Sequence, residues 1–89
     1  MPATQVHEII CISFYDKNKK IGLRLTYPDI RLENGTVHQA KIKATCFMKE
    51  YGLNPIGNWQ YNGFTNDFYR EFESDTGRRK KRAFIHLFE

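Results

Sequence analysis

Five consecutive basic residues, Arg78 to Arg82, are the group with the clearest capacity for chemistry in this sequence. Guanidinium groups hold phosphate oxygens through paired hydrogen bonds, and ammonium groups hold them as point charges. The chain has 14 Lys and Arg against 10 Asp and Glu, so without this run 9 basic residues face 10 acidic ones. The positive charge is therefore local, and a local basic patch indicates a contact surface for an anionic partner.

Aromatic residues crowd the segment that precedes the basic run. Most rings in a small domain fill its core, but an exposed ring can stack on an unpaired base. Tyr61 and Tyr69 have polar neighbours. We therefore expect these two tyrosines to be the exposed members of the aromatic segment.

No catalytic or metal-binding motif accompanies the basic run. The sequence contains no G-x-S-x-G, G-x-x-x-x-G-K-[ST] or G-x-G-x-x-G pattern. Its cysteines and histidines lack the close pairing that is typical of zinc sites. Asp67, Glu71 and Glu73 could serve a metal-dependent nuclease, but salt bridges to the basic residues are the simpler interpretation. We expect no enzyme activity, no catalytic residue, no cofactor and no metal.

One helix is the strongest local prediction. Thr36 and Gln39 form a capping box, in which each side chain accepts a hydrogen bond from the other residue's backbone N–H. Apolar residues follow at helical spacing as far as Gly52, a left-handed stop signal. The pattern predicts a helix over Val37 to Tyr51.

Strands are predicted on both sides of this helix. Before it, Val6 to Tyr15 and Ile21 to Tyr27 form a hairpin that Pro28 ends, and Ile30 to Leu32 is a short third strand. After it, an Asn-Gly turn follows Tyr61, and the later strands are Phe68 to Glu73 and Ala83 to Phe88. The order β-β-(β)-α-β-β-β predicts one α+β domain over residues 1–89, with an antiparallel sheet of about five strands and one helix.

The register of the last hairpin decides which basic side chains are available. A turn centred on Thr76 would place Glu73 opposite Arg79 and Glu71 opposite Lys81, which neutralises both cations. The cations left for a partner would then be Arg70, Arg78, Lys80 and Arg82. A second polar turn at Asp16 to Lys20 would enlarge the patch if it lay at the same end of the sheet.

Two functions fit this pattern. A small nucleic-acid-binding module would hold phosphates with Arg78, Arg79, Lys80, Lys81 and Arg82, helped by Arg70, and would stack bases on Tyr69 or Tyr61. Such binding depends on charge and not on base sequence. A small inhibitor or adaptor, of the kind phages and mobile elements encode, would dock the same tip on an acidic protein surface. A solvated tip that guards a sheet edge needs no partner at all.

The sequence shows no signal peptide and no membrane-spanning segment. No basic stretch followed by an apolar one opens it, and no apolar run approaches the ~20 residues of a membrane span. Cys11 and Cys46 are too few for a disulfide scaffold, so we expect free, buried thiols. A cytoplasmic protein without a membrane partner is predicted, or a nuclear one in a eukaryote, where a short Lys/Arg run can direct import.

Overall fold

The computed structural model describes residues 5–18 and 22–88, which form a five-stranded antiparallel sheet with one helix on one face. The elements in chain order are β1 (Val6–Asn18), β2 (Gly22–Thr36), α1 (Val37–Glu50), β3 (Leu53–Asn62), β4 (Asp67–Ser74) and β5 (Lys80–Phe88). Across the sheet the strands lie in the order β2-β1-β5-β4-β3. The predicted α+β class and the five-stranded sheet are confirmed.

The local signals of α1 act as predicted. The Gln39 N–H donates to Thr36 Oγ1 at 3.2 Å, and the Thr36 N–H donates to Gln39 Oε1 at 2.9 Å. Gly52 has a φ of 75°, the left-handed conformation of a helix stop. The helix is one residue shorter than predicted, because Tyr51 is its C-cap.

Pro28 does not end the second strand as predicted. β2 continues through it, so the predicted second and third strands are one. Tyr27 pairs with Phe14 and Ile30 with Ile12, which leaves Pro28 and the residue after it facing a single position of β1. This bulge lies on an edge strand, where the missing N–H of a proline disturbs no inner ladder. The predicted start of the strand, Ile21, and the turn residues Lys19 and Lys20 lie outside the described residues.

The core lies between α1 and one face of the sheet. Successive side chains of a strand point to opposite faces, and the fully buried apolar side chains come from the face toward α1 and from α1 itself. That set is Ile10, Ile12, Phe14, Ala40, Ala44, Met48, Leu53, Phe72, Ala83 and Ile85. Burial of each large apolar side chain contributes roughly 1.5–3 kcal/mol. The opposite face of the sheet, which α1 does not cover, is called the open face below.

The predicted register of the last hairpin is wrong by one residue. Glu73 pairs with Lys80 and Glu71 with Arg82, instead of with Arg79 and Lys81. A slip of one residue moves every side chain of a strand to the other face. Lys80 and Arg82 therefore share the open face with the two glutamates, while Lys81 points toward the helix.

The turn between β4 and β5 explains this register. The Ser74 N–H donates to the Arg79 carbonyl at 3.0 Å, and the Gly77 N–H donates to the Ser74 carbonyl at 2.8 Å. The Arg79 N–H also donates to Ser74 Oγ at 3.1 Å. Gly77 takes a left-handed φ of 71°. The centre of the turn therefore falls between Thr76 and Gly77, half a residue beyond the predicted pivot.

Candidate functional site

Six basic side chains line one cleft at an end of the sheet. β1 ends where its neighbours β2 and β5 begin, so side chains that are distant in the sequence meet there. The cleft has a volume of about 280 Å³. Its described lining is Lys17, Arg24, Arg78, Arg79, Lys80 and Lys81, with Asp16 as the one acidic member. We call this cavity the basic cleft, and the end of the sheet that holds it the basic end.

Arg79 joins the basic run to the end of the helix. Its Nη2 donates to the carbonyl oxygen of Tyr51 at 2.9 Å. The last carbonyl groups of a helix lack partners within the helix and carry partial negative charge, so a guanidinium stabilises them. Arg79 therefore caps α1 and at the same time forms a wall of the basic cleft.

Lys81 is a buried cation with a structural role. Its residue is 7% exposed. Its Nζ donates to Asp16 Oδ1 and lies 5.0 Å from the centre of the Tyr27 ring. The carboxylate and the π face together replace the water that burial removes.

Arg82 is neutralised on the open face. Its Nε donates to Glu71 Oε1 at 2.7 Å. Its guanidinium carbon lies 5.2 Å from the Tyr69 ring centre and 5.7 Å from that of Phe84. Arg82 therefore covers Tyr69, one of the two tyrosines that we expected to be available for stacking.

Three exposed cations at the basic end remain without a carboxylate. Within residues 5–18 and 22–88, Arg24, Arg78 and Lys80 make no ion pair. Lys17 makes a long contact, 3.4 Å, to Glu71, a carboxylate that Arg82 already holds. An incoming anion therefore meets four cations whose charge is free or only weakly compensated.

Besides Arg82 and Tyr69, two more predicted site residues lie away from the basic cleft. Arg70 points to the helix side of the sheet, where its Nη2 donates to the Gly57 carbonyl. Tyr61 is exposed, but it is near the end of β3, and its hydroxyl donates to Asn66 Oδ1 at 2.7 Å. The structure thus brings together Arg78 to Lys81 and separates Arg70 and Tyr61 from them.

Arg24 is the member of the site that sequence reasoning missed. It pairs with Asp16 in the β1–β2 ladder, and this pairing brings it to the basic cleft. The alternation of polar and apolar residues at the start of β2 is the signal that could have found it. That pattern places Arg24 on the face of β2 opposite to Leu23 and Leu25. Only the strand order shows which residues lie beside Arg24 on that face.

The open face carries a hydrogen-bonded chain of three side chains. Ser13 Oγ lies 2.9 Å from His86 Nε2, and His86 Nδ1 lies 2.6 Å from Asp67 Oδ1. The same residue types form the triad of serine hydrolases. Ser13 is only 4% exposed on a central strand, so its hydroxyl has no space for a substrate carbonyl. The chain therefore orients the imidazole and presents no accessible nucleophile.

The described part of the chain contains neither a metal-binding cluster nor a membrane-spanning helix. No set of three or more His, Cys, Asp or Glu side chains within it could hold a metal ion. No helix there has both the length and the apolar character to cross a membrane.

The two cysteines are free, but neither is fully buried, contrary to the expectation. Cys46 is exposed on α1, and Cys11 is half-buried on β1. The Cys11 thiol donates to Asp29 Oδ2 over 3.6 Å. Burial, followed by the negative charge of Asp29, raises the pKa of the Cys11 thiol.

Comparisons of the chain with protein-family models, curated proteins and solved structures find no match. The geometry and charge of the basic cleft are therefore the basis for any assignment of function.

Alkylation of Cys11 is expected to be slow at neutral pH and to speed up when Asp29 is replaced. A raised pKa lowers the fraction of reactive thiolate at a given pH. In a Cys46→Ser background, Asp29→Asn removes the neighbouring charge and should increase the alkylation rate by up to about tenfold, the factor that one pKa unit gives. Mass spectrometry of iodoacetamide-treated protein measures the rate. Glu33→Gln is the control, and equal rates in the two variants would contradict the assignment.

Lys81 and Lys80 should differ in their effect on stability although they are adjacent and identical in type. Lys81→Met removes the partner of Asp16, a carboxylate whose side chain is 35% exposed. The loss should be about 1–2 kcal/mol, between the values for exposed and buried pairs. Lys80→Met should change the free energy of unfolding by less than about 0.5 kcal/mol. Urea unfolding compares the two, and equal stability would show that the Lys81–Asp16 pair contributes nothing.

Proposed function

We propose that this protein is a small nucleic-acid-binding module that holds the phosphate backbone in the basic cleft. The observation that carries the proposal is the convergence of six cations around one carboxylate in a cavity of about 280 Å³. Cations that replace the counterions of a phosphate backbone release them to solution, and this release drives binding. Recognition would depend on charge and shape and not on base sequence.

The cations of the basic cleft differ in how they are held, and this difference supports the proposal. Arg79 and Lys81 are held in place by contacts within the protein, so they form a fixed positive wall. Arg24, Arg78 and Lys80 are exposed around that wall. Arginine adds planar, two-pronged contacts to phosphate, whereas lysine adds an adjustable charge. Fixed cations with exposed cations around them suit a polyanion whose phosphates repeat along a chain.

A protein with this proposed function would act in a compartment that contains nucleic acid. That compartment would be the cytoplasm, or the nucleus of a eukaryotic host, where the exposed part of the basic run would also be accessible to an import receptor.

A second candidate function rests on two exposed leucines beside the basic end. Leu23 is 39% exposed and Leu25 is 58% exposed. They pair with Lys17 and Tyr15, so they lie on the open face next to the cations. Apolar surface rimmed by charge is typical of protein interfaces. An inhibitor or adaptor that docks on an acidic protein surface would use both features.

Loss of two exposed cations should weaken nucleic-acid binding and flatten its dependence on salt. For Arg78→Gln with Lys80→Gln, we expect affinity at low salt to fall roughly ten- to hundredfold. The slope of log K against log salt concentration should decrease by about 1.4–1.8, the contribution of two phosphate contacts. Fluorescence polarisation with a labelled oligonucleotide at several salt concentrations measures both quantities.

The matched control removes one arginine and one lysine elsewhere. Arg31 and Lys43 are exposed and do not line the basic cleft. The variant Arg31→Gln with Lys43→Gln has the same net charge and should bind nearly as the unaltered protein does. Equal losses in the two double variants, or no binding by the unaltered protein at low salt, would reject the proposal.

The second candidate predicts a partner that nuclease treatment does not release. Leu25→Asp should then abolish retention of an acidic protein partner in a nuclease-treated pull-down, because it places a carboxylate in the apolar contact. Ile42→Asp alters a similarly exposed apolar residue on the helix and should have no effect. Release of the captured partner by nuclease would argue against this candidate.

A further inference from the structure

Tyr51 is an exposed aromatic ring at the basic end. The residue is the C-cap of α1, and it is 45% exposed. Its carbonyl oxygen accepts the hydrogen bond from Arg79 Nη2 at 2.9 Å. Because Arg79 also lines the basic cleft, a single side chain joins the backbone of Tyr51 to the cleft.

The Tyr51 ring is held in a fixed orientation. Its centre lies 4.5 Å from that of Tyr27 and 5.1 Å from that of Phe47. Phe47 in turn stacks on the fully buried Phe14, with ring centres 4.6 Å apart and an angle of 24° between the planes. Tyr51 is thus the outermost ring of a cluster that extends from the core to the surface. A ring that is already ordered loses little conformational entropy when a ligand stacks on it.

The other exposed rings of the described residues lie away from the basic cleft. These rings are Tyr61, Phe64 and Phe88. Tyr61 pairs with Phe68, and Phe68 pairs with Ile85. Ile85 lies five positions along β5 from Lys80, roughly 17 Å at the rise of a strand. Among the exposed rings of the described residues, Tyr51 is therefore the one at the basic end, where its carbonyl oxygen accepts a hydrogen bond from Arg79 of the basic cleft.

We propose that the basic cleft takes single-stranded nucleic acid, with one unpaired base stacked on Tyr51. This inference rests on the proposed function and specifies its substrate class. A duplex offers phosphates to the cleft, but its bases are already stacked on one another and present only their edges. A single strand offers a phosphate and, beside it, the face of an unpaired base. The basic cleft with an ordered ring at its rim matches that pair of features.

Variants of Tyr51 separate the contribution of the ring from that of the charge. The probes are a labelled single strand of roughly ten nucleotides, within the range that small single-strand-binding folds cover, and the duplex of the same sequence. Tyr51→Leu keeps an apolar side chain against Tyr27 and Phe47 but removes the π face. We expect it to weaken single-strand binding about tenfold, the scale of one stacked base, and to leave duplex binding within about twofold. Tyr51→Phe should retain the unaltered affinity.

Tyr61→Leu is the matched control at the far end of the sheet, and it should bind both probes as the unaltered protein does. Thermal unfolding of each variant checks that the fold is retained.

The possible outcomes distinguish the inference from the proposed function. If Tyr51→Leu weakens both probes equally, or neither, the substrate class is wrong while charge-driven binding stands. If the unaltered protein binds neither probe at low salt, both proposals fail. Polyglutamate is a third probe, which represents an acidic protein partner. If Tyr51→Leu weakens the binding of polyglutamate about tenfold and leaves single-strand binding unchanged, the ring serves an acidic protein partner and the inference is overturned.

Discussion

The turn between β4 and β5 is the constraint on which the rest of this structure depends. The Ser74 N–H to Arg79 carbonyl bond and the left-handed Gly77 fix the number of residues in the turn. That number fixes the register, and the register fixes the face on which each basic residue lies. A turn shorter or longer by one residue would direct Lys80 into the core and turn Lys81 away from Asp16.

The residues of the basic run consequently have two different roles, structural contact and exposure to a ligand. Arg79 connects the turn before β5 to the end of α1, and Lys81 and Arg82 connect β5 to β1 and to β4. The remaining members of the run, Arg78 and Lys80, are exposed. The internal connections orient Lys80, because it lies between Arg79 and Lys81, and the Arg78 N–H donates to Thr76 Oγ1 at 3.4 Å in the adjoining turn. A site built in this way does not need to order its backbone when a ligand binds, and this lowers the entropic cost of binding.

The parts of the fold that depend on neighbours in the sequence could be predicted, and those that depend on strand order could not. The capping box of Thr36 and the stop at Gly52 are local, so the helix was found to within one residue. The Ser13–His86–Asp67 chain was missed because strand pairing alone brings its members together. Tyr51 has the spacing of a core residue of the helix, and nothing in the sequence shows that Arg79 caps its carbonyl. The register was predicted wrongly because the turn is centred half a residue beyond Thr76. Turn propensities do not locate the centre of a turn that finely.

The strand order also bears on how the chain reaches this fold. β5, the last strand, lies between β1 and β4 in the sheet. A growing chain can form the β1–β2 hairpin with α1, and it can form the β3–β4 hairpin, but the two halves of the sheet cannot join until β5 has left the ribosome. Contacts between residues so distant in the sequence close slowly, because most of the loop entropy is lost before they form. Charged residues at the start of a strand lower its tendency to aggregate before it has found its partners, and the basic run stands at the start of β5.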